Sequence, residues 1–249
     1  MRIVGVIPAR YASTRFPGKP LVIIDGKSMI RRVYEQAQKC IELSEVIIAT
    51  DNTSIYEHAQ EFGGKVMMTS ADHTSGTERC REVLTNLGTG KNEPADAIIN
   101  IQGDEPFIDP RQISDVISCL VQKDVQIATL VRKISSYEEL MDNNVVKVVL
   151  NKQCRAIYFS RSAIPYYRGK DPSEWISSHD YFKHIGIYGY RSDVLVRITE
   201  LPPSLLEKAE SLEQLRWLEN DYLIFVKETD LENVAIDTPS DLLKITNSH

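Results

Sequence analysis

The strongest constraint in this 249-residue chain is a regular alternation that runs through its first half. Short β-branched runs at 3–7, 46–49, 66–68 and 97–101 are too short for helices and read as buried strands. Between them, 29–40, 55–62, 77–87 and 112–122 carry apolar residues at helical spacing, as Met29, Ile30, Val33 and Ala37 do on one face of the first. Gly63 and Gly64 supply a stop after the second helix. Such alternation predicts an α/β fold, a mostly parallel sheet covered by helices on both faces. Ligands of such sheets lie beyond the carboxyl ends of the strands, so the loops after Ile7, Thr50, Met68 and Ile101 are where chemistry is expected.

The second half changes character. Strands are expected at 127–132, 145–150, 155–159, 183–191 and 223–227, with a helix at 212–218. The stretch 160–182 is polar, punctuated by Pro and Gly, and reads as a long loop. Thr238 and Pro239 suit the N-cap and first position of a last helix. No repeat, low-complexity tract or linker interrupts the chain. The expectation is therefore one domain over 1–249, with an inserted subregion at about 127–191.

Composition narrows the partners. A formal net charge of −6 argues against nucleic acid, whose binding needs a basic face, so an anionic ligand must be held by a local cluster of cations. Cys40, Cys80, Cys119 and Cys154 are far apart and form no Cys-x-x-Cys pair, which fits buried thiols in a reducing compartment. No apolar run approaches the ~20 residues that cross a bilayer, and the first strand begins without a signal-peptide pattern. A cytoplasmic protein without membrane insertion is expected.

The loop 8–20 places Arg10, Arg15 and Lys19 at the carboxyl end of the first strand. A triphosphate carries about four negative charges and needs fixed cations and accessible backbone N–H groups. Gly18 permits close backbone approach, and Pro17 and Pro20 stiffen the loop; a merely solvated basic loop is the alternative. The spacing is neither a Walker A loop nor a Gly-x-Gly-x-x-Gly turn. Asp104, in Gln102-Gly103-Asp104-Glu105-Pro106, stands at a strand end where Mg²⁺ could be held, although Gly-Asp-x-Pro is also good turn chemistry. Asp237 is either a second metal carboxylate or a plain helix-start residue. Ser75 lies in a polar loop leading into a helix as a candidate base-reading group. His184, Gly186 and Tyr188 share one face of a strand.

Seven stretches together resemble the signatures of the 3-deoxy-manno-octulosonate cytidylyltransferases, the CMP-Kdo synthetases. They are 7–21, Ala-Asp-His-Thr-Ser-Gly-Thr-Glu-Arg at 71–79, Asn-Ile-Gln-Gly-Asp-Glu-Pro at 100–106, 144–149, Tyr-Phe-Ser-Arg-Ser-Ala-Ile-Pro at 158–165, His-Ile-Gly-Ile-Tyr-Gly-Tyr at 184–190, and Glu-Gln-Leu-Arg at 213–216. They run in order over nearly the whole chain. The resemblance implies a mixed, Rossmann-like sheet of the nucleotide-diphospho-sugar transferase type, with the inserted subregion serving dimerisation. It implies a homodimer that activates Kdo with CTP for lipopolysaccharide biosynthesis. Arg10, Arg15 and Lys19 would hold the CTP phosphates; Ser75 would select cytosine, with Gln102 also at the nucleotide. Asp104 and Asp237 would bind Mg²⁺ and, with Lys19 and Arg15, form the catalytic set. Arg79, Gln102, Arg161, His184, Tyr188, Glu213 and Gln214 would line the sugar pocket. Val-Ala-Ile precedes Asp237 where a nearer glycine is expected, and 166–182 matches no pattern of the family. The rival acceptors are sialic acid and an amino-substituted octulosonate; Arg-Phe-Pro-Gly-Lys-Pro at 15–20 favours the octulosonate type over sialate.

Overall fold

The computed structural model describes residues 1–12, 16–88, 94–232, 235–236, 238–239 and 241–242. The β-branched runs form strands and the amphipathic stretches form helices close to the expected places. In chain order these are β1 (Ile3–Ala9), the small hairpin β2 (Ile23–Ile24) and β3 (Lys27–Ser28), α1 (Met29–Ala37), β4 (Glu45–Thr50), α2 (Thr53–Glu61), β5 (Val66–Met68), α3 (Gly76–Gly88), β6 (Ala97–Asn100) and α4 (Pro110–Leu120). The second half continues with β7 (Ile127–Lys133), α5 (Tyr137–Met141), β8 (Lys147–Leu150), β9 (Ala156–Ser160), α6 (Trp175–Ser178) and β10 (Phe182–Arg191). It closes with α7 (Ser192–Thr199), α8 (Leu205–Glu210), α9 (Gln214–Glu219) and β11 (Ile224–Glu228).

The main sheet runs β11-β7-β10-β6-β1-β4-β5. β1 pairs in parallel with β4 and β6, β4 with β5, and β7 with β11, whereas β10 is antiparallel to both β6 and β7. The sheet is therefore mostly parallel and mixed, as expected. Side chains alternate along the strands to serve two cores. Ile3 and Ile7 of β1 join α1, α2 and α4 through Ile30, Val33, Ile55 and Val116. Val4 and Val6 join α3, α7 and α9 through Val83, Leu195 and Trp217. Each such fully buried aliphatic side chain contributes about 1.5–3 kcal/mol. Gly189 sets the distance on the first face, since a Cβ there would lie 2.5 Å from Leu120 Cδ1.

The segment 127–191 lies partly on the main path of the sheet and partly beside it. Its end strands β7 and β10 lie within the main sheet, while β8 and β9 branch from β10 as an antiparallel arm. The stretch between builds a satellite core from Ile134, Leu140, Trp175 and Tyr181, so 160–182 is loop with one short helix, α6, rather than loop alone. The second half also holds more helix than its pattern suggested, in α5, α7 and α8. Cys40, Cys80 and Cys119 are buried, but Cys154 is exposed in the β8–β9 turn with φ 54°, which corrects the expectation of four buried thiols. Among the described residues, no helix is long and apolar enough to cross a membrane.

Candidate active site

A cleft of about 680 Å³ opens at the carboxyl ends of β1 and β6. Its lining comes from sequence-distant elements: the end of β1, the start of α3, the β6 turn, β10 and the start of α9. Close approach of the β6 turn to β1 depends on Gly103, whose Cβ would stand 2.7 Å from the Pro8 carbonyl oxygen. Gly18, at φ +70°, reverses the loop that delivers Lys19.

At one end, Lys19 Nζ donates to Asp104 Oδ2 at 2.7 Å, with side chains 13% and 26% exposed. Arg10 is exposed at the same end and donates to the Thr74 carbonyl at 3.4 Å, bringing the 8–20 loop against the loop before α3. The Ile236 amide donates to the Asp104 carbonyl at 3.0 Å, so the chain just before Asp237 crosses the β6 turn. Arg15 and Asp237 themselves lie outside the described residues. Among the described residues, no group of three or more His, Cys, Asp or Glu side chains could cage a metal ion. A lone strand-end carboxylate beside fixed cations is the donor set of a Mg²⁺ completed by phosphate oxygens and water, so the residues fit that ion.

The other end is walled by β10 and α9. His184, Gly186 and Tyr188 all line the cleft, as their shared face predicted. Gln102 donates from Nε2 to the Gly186 carbonyl at 2.7 Å. His184 Nε2 lies 3.0 Å from Thr129 Oγ1, and its ring meets Phe159 and Tyr188. Burial pushes the imidazole down to about 3, so the ring is neutral. Burial, helped by the Glu213 carboxylate, pushes the Tyr188 phenol well up and keeps its proton. Asn100 Oδ1, the Tyr188 hydroxyl and Trp217 Nε1 are buried and lack a hydrogen-bond partner among the described residues. All three residues line the cleft, and an unpaired buried polar atom costs about 1–3 kcal/mol unless a ligand answers it.

Glu213 joins the two ends. Thr77 donates its hydroxyl to Glu213 Oε2 at 2.7 Å, and the Thr77 and Ser75 hydroxyls both favour the charged carboxylate. Burial nevertheless holds Glu213 above the usual carboxylate range. Gln214, 6% exposed, lines the cleft beside it.

Three expected site residues are placed otherwise. Arg79 is fully buried beneath α3, donating to Asp51 Oδ2 at 3.0 Å and to Thr69 Oγ1, and does not line the cleft. It ties the ends of β4 and β5 to α3, supporting the loop 70–75 from below. The Arg161 guanidinium is turned onto the backbone carbonyls of Glu210, Asn143 and Ser211. It is likewise absent from the lining. The Ser75 hydroxyl accepts from the Glu78 amide while Glu78 accepts from the Ser75 amide, a reciprocal cap that starts α3; Gly76 and Thr77 line the cleft instead. Conversely, Asn100, Trp217 and Thr129 escaped the sequence reading. The available signal was a polar residue ending or interrupting an otherwise apolar strand, as Asn100 ends β6 and Thr129 interrupts β7.

Comparison with known proteins places this geometry in context. A family profile described as cytidylyltransferase matches residues 4–229. The chain is 53% identical over 247 residues to a 3-deoxy-manno-octulosonate cytidylyltransferase of Cytophaga hutchinsonii, covering 99% of this chain and 97% of that one. It is also 53% identical to a protein of the same name from Parabacteroides distasonis, over 98% of this chain and 96% of the other. A solved CMP:2-keto-3-deoxy-manno-octonic acid synthetase, complexed with CTP, superposes with a TM-score of 0.90 at 42% identity, covering 100% of this chain and 98% of that one. A putative glucose-1-phosphate thymidylyltransferase of Bacillus anthracis shares the fold alone, with a TM-score of 0.66 at 17% identity over 99% of this chain and 94% of its own.

Proposed function

The chain belongs to the cytidylyltransferase family, among the 3-deoxy-manno-octulosonate cytidylyltransferases, and from that premise we propose that it joins CMP from CTP to 3-deoxy-manno-octulosonate and releases pyrophosphate. The observation that carries the reading is the two-ended cleft, with the Lys19–Asp104 pair at one end and, at the other, buried polar groups that have no partner among the described residues. A polyanion suits the first end and a polyhydroxylated acid the second.

The sugar's anomeric hydroxyl attacks the α-phosphorus, the new P–O bond forms, the α–β anhydride breaks, and the hydroxyl proton leaves to solvent. Such transfer is mainly positioning and charge neutralisation. Arg10, Arg15 and Lys19 bind and orient the phosphates, with Lys19 fixed near the departing pyrophosphate by its short, Pro-flanked loop. Asp104, with Asp237, would hold Mg²⁺, which supplies charge neutralisation at the phosphates and a lowered pKa for a bound hydroxyl. Gly76, Thr77 and the loop capped by Ser75 face the base; Gln102, His184, Tyr188, Glu213 and Gln214 bind the sugar. Arg161 contributes through its carbonyl contacts, and Arg79 from beneath the loop.

A cytoplasmic homodimer acting in lipopolysaccharide biosynthesis completes the proposal. The β8–β9 arm supports the dimer: β9 pairs only with β8 among the described strands and exposes Ile157, and Tyr166 is exposed nearby in sequence. Mass spectrometry of products from mixed octulosonate and sialate, with CTP or UTP, tests the reading. CMP-octulosonate should dominate; a sialate product or equal use of UTP would overturn it.

A further inference from the structure

We propose that Thr129 is a positioning residue: it fixes His184 as the neutral tautomer protonated on Nε2, leaving the Nδ1 lone pair to accept a hydroxyl of the sugar acid. The identity of that ligand rests on the functional reading above, whereas the tautomer rests on contacts inside the protein.

β10 does not run regularly past β7. The register steps from Ile185 opposite Leu130 to Tyr188 opposite Thr129, so Gly186 and Ile187 are extra residues in a bulge. A bulge disrupts the ladder and strands backbone carbonyls. Here side chains answer them. Gln102 donates to the Gly186 carbonyl, and Thr129 Oγ1 lies 3.1 Å from the Ile185 carbonyl oxygen and 2.7 Å from that of Ile187. His184 Nε2 is the third neighbour of the same hydroxyl, at 3.0 Å.

Proton counting then decides the tautomer. A threonine hydroxyl has one proton to donate and lone pairs to accept, whereas a carbonyl oxygen can only accept. The Thr129 proton is therefore committed to a carbonyl, and best to Ile187, the shorter contact. Were His184 Nε2 unprotonated, Oγ1 would face three acceptors with one proton, in a fully buried position where no rearrangement relieves it. With the proton on Nε2, the imidazole donates to an Oγ1 lone pair, Ile187 takes the hydroxyl proton, and only the longer contact to the Ile185 carbonyl has no proton of its own. The hydrogen bond made by one ring nitrogen in this way sets the state of the other. Nδ1 has no hydrogen-bond partner among the described residues, and the ring lines the cleft beside Tyr188. Burial keeps the ring neutral, so Nδ1 presents an acceptor rather than a second donor. Phe159 and Tyr188 hold the ring plane from its sides, so a hydroxyl donor in the cleft meets a fixed lone pair.

The experiment is ¹⁵N NMR of histidine-labelled, nucleotide-free protein, with the His184 signal among the five histidines assigned by loss in His184→Asn. The shifts should show Nε2 protonated and Nδ1 bare, and 3-deoxy-manno-octulosonate should move the Nδ1 resonance. Thr129→Val, which keeps the shape and removes the hydroxyl, should release the tautomer preference and raise the sugar KM roughly tenfold, as loss of one well-placed hydrogen bond does, with the CTP KM little changed. Thr129→Ser should restore both the tautomer and most of the sugar affinity; a merely structural role would leave the nitrogen shifts unmoved. A wild-type spectrum with Nδ1 protonated, or an unaltered sugar KM in Thr129→Val, overturns the proposal. If the valine variant does not fold, the wild-type and serine spectra decide. Absence of transfer to this sugar in wild type would refute the functional reading instead, and the ring's tautomer is read without turnover.

Discussion

Replacing Lys19 with alanine should separate two roles that the free protein combines in one contact. The ammonium sits 2.7 Å from Asp104 Oδ2 in a partly shielded pocket. At an effective dielectric near 20, two unit charges ~4 Å apart attract by about 4 kcal/mol, but desolvation and side-chain ordering cancel most of it. Loss of the pair should therefore cost only about 1 kcal/mol of stability. Catalysis should suffer more, because a preorganised charge facing a transition state is worth roughly 2.7–4 kcal/mol, or 10²–10³ in kcat. The metal should respond in the opposite direction. Lys19 neutralises the carboxylate that Mg²⁺ would use, so its removal should tighten divalent-ion binding to nucleotide-free protein. Pyrophosphate release gives kcat, and Mn²⁺ titration followed by electron paramagnetic resonance gives the ion's affinity. A kcat within a few-fold of wild type, or metal binding that weakens along with kcat, would refute the reasoning.

The remaining predictions concern other parts of the site. Arg79→Met should destabilise toward the lower end of the ~3–5 kcal/mol typical of a broken buried pair, because Asp51 keeps 18% exposure; chemical denaturation measures this, and Asp51→Asn added to it should recover part of the loss. Glu213 has a raised pKa in the folded protein, so its contribution is fully present below the ordinary carboxylate value and is lost as pH rises through the raised one. Glu213→Gln should accordingly gain Tm relative to wild type at pH 7, with the gain vanishing toward pH 4; an unchanged difference across that range would contradict the assignment. Chelation by EDTA should abolish CMP transfer and excess Mg²⁺ restore it, and full activity after exhaustive chelation would remove the metal from the account.

The sequence made the layers legible because its periodicities are the physical cause of those layers. Ile3 and Ile7 against Val4 and Val6 already divide β1 between two cores. What escaped notice was mostly capping and satisfaction of polar groups. Two of the Ser-x-x-Glu stretches, at 75–78 and at 204–207, form a capping box in the structure. Reading them would have found α8 and given Ser75 its cap role. Val194, Leu195 and Ile198 also carry a helical stripe for α7, masked by the strand that runs directly into it. Arg79 could not be placed from sequence, because its partners Asp51 and Thr69 meet it only through the packing of α3 on the sheet. Thr129 stands out in the sequence only as a polar residue in an apolar strand, because its three neighbours depend on a bulge that no pattern of residues announces.

The central claim is that the α–β anhydride of CTP is broken by the sugar's anomeric oxygen within this cleft. Phosphorus NMR of one reaction containing protein, Mg²⁺, CTP and 3-deoxy-manno-octulosonate follows every phosphorus atom at once. The account predicts that the α resonance moves to a phosphodiester position while the β and γ resonances become pyrophosphate at the same rate, with no reaction when the sugar is omitted. Appearance of inorganic phosphate and CDP, or of pyrophosphate and free CMP without the sugar, would contradict it.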